Sequence, residues 1–429
     1  MKRILVVLIA VSPAFAGEPM PSLPSPVKSS FVFGIEDQTR LEYRDNNFDF
    51  NNRIDSVNDD AWLLNRFRLG VQVKPVEWLT FYTQTQDSRE YDSNRADIPG
   101  RLGAEGDNPF DLRQAWIEIG DGKSSPLTLK AGRQVLLYGD QRLIGPLEWN
   151  NLSRTFDAAK VRWTGEGGLW VDAFVSSVVV ADRYGFDESD WDSSFSGVYT
   201  HLPTFEIQDT EWYALYFDDT NRNDHFVTLG THWKSVPGKL GPWDYESELV
   251  AQSGTAAGQD LQAFAAYVEG GYTFETPWQP RLGLEYSYGS GDGDPGDGIN
   301  GSFQNLFPTN HPHYGFMDAF SWSNLHDVAL HLSAKPSAKL TTSIDFHLFW
   351  LDDTADTWRR ANATTVVRPA SPGADSFAGS EIDVLASYLV SKNFTLTAGY
   401  THFFAGTYLS DTGAASDADF LYVMSGVKF

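Results

Sequence analysis

Basic side chains concentrate in the first part of this chain, at spacings that predict a positively charged surface. Eighteen of the 30 Lys and Arg residues that follow Arg3 lie between Lys28 and Arg162. Several occupy alternate positions of apolar runs, so in extended strands they share one polar face. The residues on this face are Arg40, Arg44, Arg66, Arg68, Lys74, Lys130, Lys160 and Arg162. Because an arginine can bind both oxygens of a carboxylate, such a face is suited to carboxylate-bearing anions.

Carboxylates take the same polar positions in the later runs. They are Glu246, Glu248, Glu285, Asp327, Asp345 and Asp383. If all runs close into one cylinder, the two sets become opposing walls of a lumen, of which Arg and Lys favour anions and acids favour cations. Two interpretations stay open: the walls select a solute, or the charges only pair across a water-filled lumen.

Arg113 and Arg133 do not fit this alternation, because simple parity places both on the apolar side. An arginine on the lipid face of a barrel costs roughly 2–4 kcal/mol at the membrane midplane. Each must therefore lie near a rim or follow a bulge that shifts the strand register. Gly132 is the predicted bulge for Arg133, whereas the spacing offers no explanation for Arg113.

A polar stretch from Val135 to Phe156 separates two of the runs. It either folds into the cylinder as a constriction or stays outside as a cap. In the first case Asp140, Arg142 and Trp149 form the constriction and Arg154 lines the pore.

A metal site has only weak support in the sequence. Asp292, Asp294 and Asp297 form an acidic loop that is a candidate for Ca²⁺, but the loop lacks the ligand spacing and the closing Glu of an EF-hand. Solvated surface is the favoured interpretation. His311 and His313 are interpreted as ordinary loop histidines.

Catalysis is disfavoured. His201, His225 and His402 are available as bases, but none lies in a recognisable nucleophile motif. The sequence therefore predicts no enzyme and no cofactor.

Period-two runs bounded by turn residues recur from residue 31 to the end and predict β-strands. About eighteen such segments occur, most of them close to the roughly 9–11 residues that a tilted membrane-spanning strand needs. The strand borders are weakest in the region 198–225.

The connections alternate between short turns and long polar stretches, as in barrels that have short periplasmic turns and long extracellular loops. The predicted short turns are at 74–77, 121–126, 165–168, 235–242, 275–280, 335–337 and 391–393. The predicted long loops are 46–61, 88–111, 136–157, 178–196, 290–322, 352–379 and 405–417.

The two ends of the sequence predict secretion and barrel closure. Lys2, Arg3, a short apolar run and Ala14-Phe15-Ala16 predict a signal peptide over residues 1–16, and a proline-rich leader over 17–30 precedes the barrel at 31–429. The final residues alternate in polarity and finish on Phe429, as the closing strand of an outer-membrane barrel does.

The amino-acid composition argues against several classes of protein and of partner. The mean hydropathy of -0.32 argues against a helical membrane protein, whereas barrel strands average out to polar. The aromatic content of 14% suits interfacial girdles, and the absence of cysteine excludes disulfides. The net charge of -25 argues against a nucleic-acid partner.

Five segments in combination resemble the alginate export family. They are Asp111–Glu118, Lys130–Gln134, Gly139–Leu143, Glu148–Asn150 and Arg154–Asp157. The resemblance implies an 18-stranded, monomeric outer-membrane barrel with a constricted, arginine-rich lumen that passes an anionic polyuronate. By motif position it implies that Arg113 and Arg133 are lumen arginines.

The sequence therefore predicts an all-β, antiparallel transmembrane barrel of about 18 strands in the cell outer membrane. Its predicted function is passive passage of an anionic sugar or polysaccharide, with outer-membrane lipid as its surroundings. The alternatives are a surface receptor or adhesin whose loops bind a ligand, and a general diffusion porin. The length of the solute, the direction of transport and periplasmic secretion partners stay open.

Overall fold

The computed structural model describes residues 30–46, 48–53, 59–93 and 106–429. Within these ranges, eighteen long strands pair antiparallel in chain order and close into one barrel. They are β1 Ser30–Asp45, β2 Asp60–Val76, β3 Leu79–Tyr91, β4 Asn108–Ile119, β5 Leu127–Gln134, β6 Phe156–Thr164, β7 Trp170–Val180, β8 Ser193–Phe205, β9 Gln208–Asp219, β10 Asp224–Ser235, β11 Trp243–Ala256, β12 Gln259–Thr273, β13 Arg281–Gly289, β14 Leu325–Ser337, β15 Leu340–Trp350, β16 Phe377–Ser391, β17 Phe394–Ala405 and β18 Ala418–Lys428. The predicted signal peptide and all but the last residue of the predicted leader lie outside the described residues.

The barrel closes between its first and last strands. β1 pairs with β18 from Glu36 opposite Lys428 to Asp45 opposite Asp419. Ile35 and Phe429 extend the seam, since each donates a backbone hydrogen bond to the other, at 3.1 and 2.9 Å. Closure on the last strand confirms the prediction from the alternating C-terminal residues.

Side chains alternate along the strands as the period-two pattern predicts. On β1, Phe33 and Leu41 are 61% and 53% exposed on the outer face, whereas Arg40 and Arg44 are buried on the inner face. The inner face of the early strands is therefore basic, and the outer face carries the large apolar side chains.

The two ends of the barrel differ in their connections. At the end that holds Ser30 and Phe429, adjacent strands are joined by short turns such as 77–78, 206–207, 338–339 and 392–393. The opposite end, called the loop end below, carries the long connections 135–155, 181–192, 290–324, 351–376 and 406–417. The last of these contains the helix α1, Thr407–Thr412.

Two loop-end connections are short, which the sequence pattern did not predict. Residues 220–223 join β9 to β10, and residues 257–258 join β11 to β12. In the second turn Ala257 and Gly258 both have positive φ, 51° and 78°, the backbone that a two-residue hairpin of this kind requires. The weakly predicted region 198–225 thus consists of two long strands with tight turns.

Two loops fold into the barrel: residues 135–155, called the constriction loop, and residues 290–324, called the second inner loop. They pair with each other through their backbones. Gly145 and Thr309 donate to the carbonyls of Phe307 and Gln141, at 2.8 and 2.9 Å, and Phe307 donates to Leu143 at 2.9 Å. The alternative in which residues 135–155 form an inward constriction is therefore the one that the structure shows.

Apolar side chains of both loops pack against the inner faces of the strands. Phe307 lies between Phe156, Phe195 and Phe217, with ring centroids 5.0–5.8 Å apart. The result is a buried aromatic core inside the loop end of the barrel. None of the helices in the described ranges has the length and apolar character that a membrane span requires.

Candidate solute pathway and constriction loop

The basic residues predicted for the inner face form one side of the lumen, called the basic wall. Its members are Arg40 and Arg44 on β1, Arg66 and Arg68 on β2, Arg113 on β4, Lys130 on β5, and Lys160 and Arg162 on β6. The five arginines of β1, β2 and β4 are almost fully buried, because the constriction loop and the second inner loop cover them.

Three of these arginines hold a single carboxylate of the constriction loop. Arg68 contacts Glu148 Oε2 at 2.7 Å, Arg66 contacts the same oxygen at 3.2 Å, and Arg113 donates to Glu148 Oε1. All four residues are at most 7% exposed. We call this arrangement of Arg66, Arg68 and Arg113 around Glu148 the arginine clasp.

The clasp arginines are oriented by neutral acceptors on the strands and the loop. Arg68 Nε donates to Gln86 at 2.7 Å, and Arg113 Nη1 donates to Gln84 at 2.9 Å. Ser153 accepts from both arginines, at 2.8 and 3.1 Å. The guanidinium groups are therefore fixed in place rather than mobile in water.

The position of Arg113 corrects the parity argument. Between β3 and β4, Gln84 pairs with Gln114 and Thr85 pairs with Leu112, so Arg113 is an extra residue in a bulge. A bulge turns the following residues to the opposite face. Arg113 consequently points into the lumen together with Gln114, as motif position implies.

Arg133 is not a lumen arginine, and the predicted bulge at Gly132 is wrong. The register of β5 with β4 and with β6 runs unbroken through Gly132. Arg133 stays on the outer parity near the loop end of β5, where it binds Asp157 with two hydrogen bonds of 3.0 and 3.1 Å. The rim position is therefore the correct alternative. Gly132 has φ +119° and lies against the backbone of Ala115, which explains the glycine.

Arg154 is likewise not on a pore wall. It is buried at the junction of the two inner loops, where its Nη1 donates to the carbonyls of Gly145, Phe307 and Pro308 at 2.6–3.0 Å. Its charge stabilises the loop pairing through backbone oxygens, which sequence spacing does not reveal.

The constriction loop is also fixed to the opposite side of the lumen. Arg142 binds Asp140 at 2.8 Å and Glu285 of β13 at 3.2 Å, and it lies 3.5 Å above the ring of Tyr267. Trp149 faces the basic wall, with the guanidinium of Arg40 3.7 Å from its ring. The three predicted constriction residues Asp140, Arg142 and Trp149 therefore all lie inside the barrel.

Two members of the basic wall on β6, Lys160 and Arg162, pair with one carboxylate. Asp172 on β7 contacts Lys160 at 3.3 Å and Arg162 at 2.5 Å, and it accepts a hydrogen bond from Tyr138 at 2.8 Å. Lys130 lies 3.9 Å from the ring of Trp116. This part of the wall is less buried than the clasp.

The carboxylates predicted on the later strands face the lumen and form the acidic wall. Histidines on neighbouring strands bind several of them, a feature that the sequence argument missed. His232 lies between Glu211 and Glu246 at 3.1 and 2.8 Å. His331 bridges Glu285 and Asp345, and His347 binds Asp327. The acidic wall thus contains its own partly neutralising groups.

Glu148 and His313, one in each inner loop, have pKa values that their surroundings shift. Burial by itself raises the pKa of Glu148, but the charges of Arg113, Arg68 and Arg66 outweigh it and lower that pKa to about 2. Burial, followed by the charge of Arg142, lowers the pKa of His313 to about 4. Glu148 is therefore ionised and His313 neutral at pH 7, with Nε2 of His313 donating to the Asp140 carbonyl at 3.0 Å.

The Ca²⁺ candidate loop satisfies its carboxylates from its own backbone. Asp292, Asp294 and Asp297 accept from Asp294, Gly296 and Ile299 N–H groups, at 3.3, 3.2 and 2.7 Å. Among the described residues, no group of three or more acidic, His or Cys side chains is arranged to hold a metal.

This geometry, a closed barrel with an alternating apolar exterior, a charged interior and inward loops, defines an outer-membrane channel. A family model described as alginate export matches residues 30–422. The chain belongs to that family, which confirms the resemblance inferred from the motifs. The short turns, and with them the barrel end that holds Ser30 and Phe429, therefore lie on the periplasmic side, and the loop end is extracellular.

Solved structures agree with this fold. OccK3 (OpdO) of Pseudomonas aeruginosa has a TM-score of 0.64 at 11% identity, covering 93% of this chain and 95% of that one. OccAB4 of Acinetobacter baumannii has a TM-score of 0.63 at 12% identity, covering 92% and 98%. OpdK of P. aeruginosa, solved with vanillate, has a TM-score of 0.60 at 12% identity, covering 92% and 98%. No curated protein matches the sequence significantly.

Proposed function

We propose that this channel passes an anionic saccharide or polysaccharide of the uronate type by passive diffusion. The observation that carries the proposal is the basic wall, in which eight Lys and Arg side chains of β1–β6 face the lumen. A row of guanidinium groups in a narrow lumen favours anions, and guanidinium matches the geometry of a carboxylate.

The acidic wall does not cancel this preference. Glu285 binds Arg142 and His331, Glu246 binds His232 and Lys234, and Asp327 binds His347. Arg142 of the constriction loop and basic groups of neighbouring strands therefore already partner these three carboxylates. The clasp, in contrast, brings three cations to one carboxylate, which leaves positive charge at the constriction.

Two comparisons support the chemical class. The family is described by export of alginate, a polymer of uronates. OpdK, whose barrel is similar, was solved with vanillate, which is also a carboxylate. On this proposal the barrel acts as a monomer, and its passive pore imposes no direction of its own.

Single-channel recording in planar bilayers tests the proposal. Glucuronate and uronate oligomers should block the chloride current in a concentration-dependent way, whereas glucose and neutral oligosaccharides should not. Glucuronate block should weaken in Arg68→Ala, for which Arg133→Ala is the matched control, because it removes an arginine from the outer rim instead of the lumen. Equal block by charged and neutral sugars would indicate a general porin, and absence of current would indicate an anchor for ligand-binding loops. Either result contradicts the proposal.

A further inference from the structure

The arginine clasp has more positive charge than its internal partner can neutralise. Three guanidinium groups face the one carboxylate of Glu148. The next carboxylate, Glu36, lies 3.6 Å from Arg68 and is shared with Lys428 at 3.0 Å. The remaining contacts of the clasp are to neutral amide and hydroxyl oxygens. A site of this composition has affinity for a carboxylate.

Further hydrogen bonds from β2 and β3 go to backbone oxygens of the constriction loop. Arg66 donates to the carbonyls of Glu148 and Asn150, at 2.9 and 2.8 Å. Gln86 and Ser88 donate to the carbonyls of Leu152 and Asn151, both at 2.8 Å. Neutral acceptor oxygens adjacent to one carboxylate are also what a uronate presents, as hydroxyl and ring oxygens next to its carboxyl group.

We propose that the clasp of Arg66, Arg68 and Arg113 is a uronate carboxylate site that Glu148 occupies in the absence of solute. A solute carboxylate binds by exchanging with Glu148, and the segment around Glu148 then leaves β2 and β4. The constriction loop therefore acts as a plug that the transported class of anion displaces, and the bound anion then obstructs the chloride current itself. This inference rests on the proposed function, because it identifies the group that selects the solute.

Exchange has a physical basis in the local geometry. Removing Glu148 without replacement leaves three buried cations with only the shared carboxylate of Glu36 near one of them, which is strongly unfavourable. An incoming carboxylate restores the same charge-assisted hydrogen bonds, so the net cost of opening falls when uronate is present. A neutral sugar offers no such compensation and leaves the plug closed.

The first test compares Glu148→Gln with Glu285→Gln. Both variants remove one negative charge and one contact that holds the constriction loop. Only Glu148→Gln removes the carboxylate that the clasp binds. For Glu148→Gln we expect the apparent affinity for glucuronate block to rise roughly tenfold or more, because an internal competitor is lost. For Glu285→Gln we expect no such rise. A heat-modifiability assay in detergent establishes that both barrels are folded.

The second test detects loop movement directly and does not depend on current. The chain has no cysteine, so Leu152→Cys provides a single thiol. Leu152 is 6% exposed beside the clasp. Its reaction with a small water-soluble thiol reagent should accelerate several-fold in glucuronate, and not in glucose or in chloride of equal ionic strength.

The outcomes separate this inference from the proposed function. If glucuronate blocks the wild-type channel but Glu148→Gln and Glu285→Gln behave alike and labelling of Leu152→Cys ignores glucuronate, exchange is wrong and anion passage stands. If glucuronate neither blocks the wild type nor accelerates labelling, both fail. Accelerated labelling together with tighter block only in Glu148→Gln supports both.

Discussion

The two walls of the lumen hold the constriction loop in different ways. The basic wall binds it through one carboxylate shared by three arginines, whereas the acidic wall binds it through one arginine, Arg142, shared by Asp140 and Glu285. Glu285 is further paired with His331 of the neighbouring strand β14, whereas the clasp has beside Glu148 one nearby carboxylate, Glu36, which it shares with Lys428. On the proposed function, the basic wall is therefore the side whose charge is available to a solute.

On the proposed function, the difference also separates structural charges from selective ones. Arg142 and Arg154 hold the inner loops in place, since their donors are used on loop and strand oxygens. Arg66, Arg68 and Arg113 each have one amide partner on a strand, which is independent of the loop: Gln38, Gln86 and Gln84. Preorganised donors of this kind bind an anion at low reorganisation cost.

The largest effect should come from breaking the clasp on the basic side. In Arg68→Ala/Arg113→Ala, Glu148 keeps only Arg66, and breaking a buried ion pair costs about 3–5 kcal/mol. We expect the constriction loop to detach, single-channel conductance to rise and uronate block to be lost. Limited proteolysis of residues 135–155 measures detachment, and Arg133→Ala/Lys123→Ala serves as the control with equal charge change. A loop that stays protected and a block that persists would show that the clasp does not hold it.

A smaller effect should follow from separating the two inner loops. A side chain on Gly145 would meet Thr309 Oγ1 and the Cβ of Gln141, so Gly145→Val should cost about 1–3 kcal/mol of loop packing. Conductance should become noisier while the uronate preference persists, because the clasp is intact. Gly270→Val, on the outer face of β12 with open space where its Cβ would lie, controls for the substitution itself.

Acid should weaken the contacts of His313 and those of Glu148 over different pH ranges. His313 has a pKa lowered from 6.5 to about 4, so folding favours its neutral form and this contribution declines as pH falls from about 6.5 to 4. Glu148 has a pKa lowered from 4.5 to about 2, so its contribution is complete above 4.5 and is lost only as pH falls through about 2. Between pH 6.5 and 4.5 the thiolate fraction falls for both single-cysteine variants, so the expected result is an increase in the ratio of the labelling rate of Leu306→Cys to that of Leu152→Cys. A constant ratio would contradict this assignment.

The smallest effect should come from Arg133→Ala. The pair with Asp157 is at the outer rim, outside the lumen and apart from the basic wall. Conductance, selectivity and block should stay close to wild type. A large loss of anion preference would mean that the outer rim, and not the basic wall, selects the solute.

Local pattern predicted the strands and both walls because alternation along a strand is set by consecutive residues. Arg40, Arg44, Arg66 and Arg68 were placed on the lumen side for that reason. Arg113 could not be placed, since a bulge depends on pairing between β3 and β4. The clasp arginines that contact Glu148 lie 35 to 82 positions away from it in the sequence, so no local pattern contains this arrangement.

If the basic wall determines which ions pass, its arginines must set the reversal potential. We would measure that potential for the wild-type channel in a KCl gradient and compare it with Arg66→Gln/Arg68→Gln/Arg113→Gln. We expect chloride preference in the wild type and a shift toward potassium in the triple variant. A wild-type channel that prefers potassium, or a potential that the triple variant leaves unchanged, would contradict it.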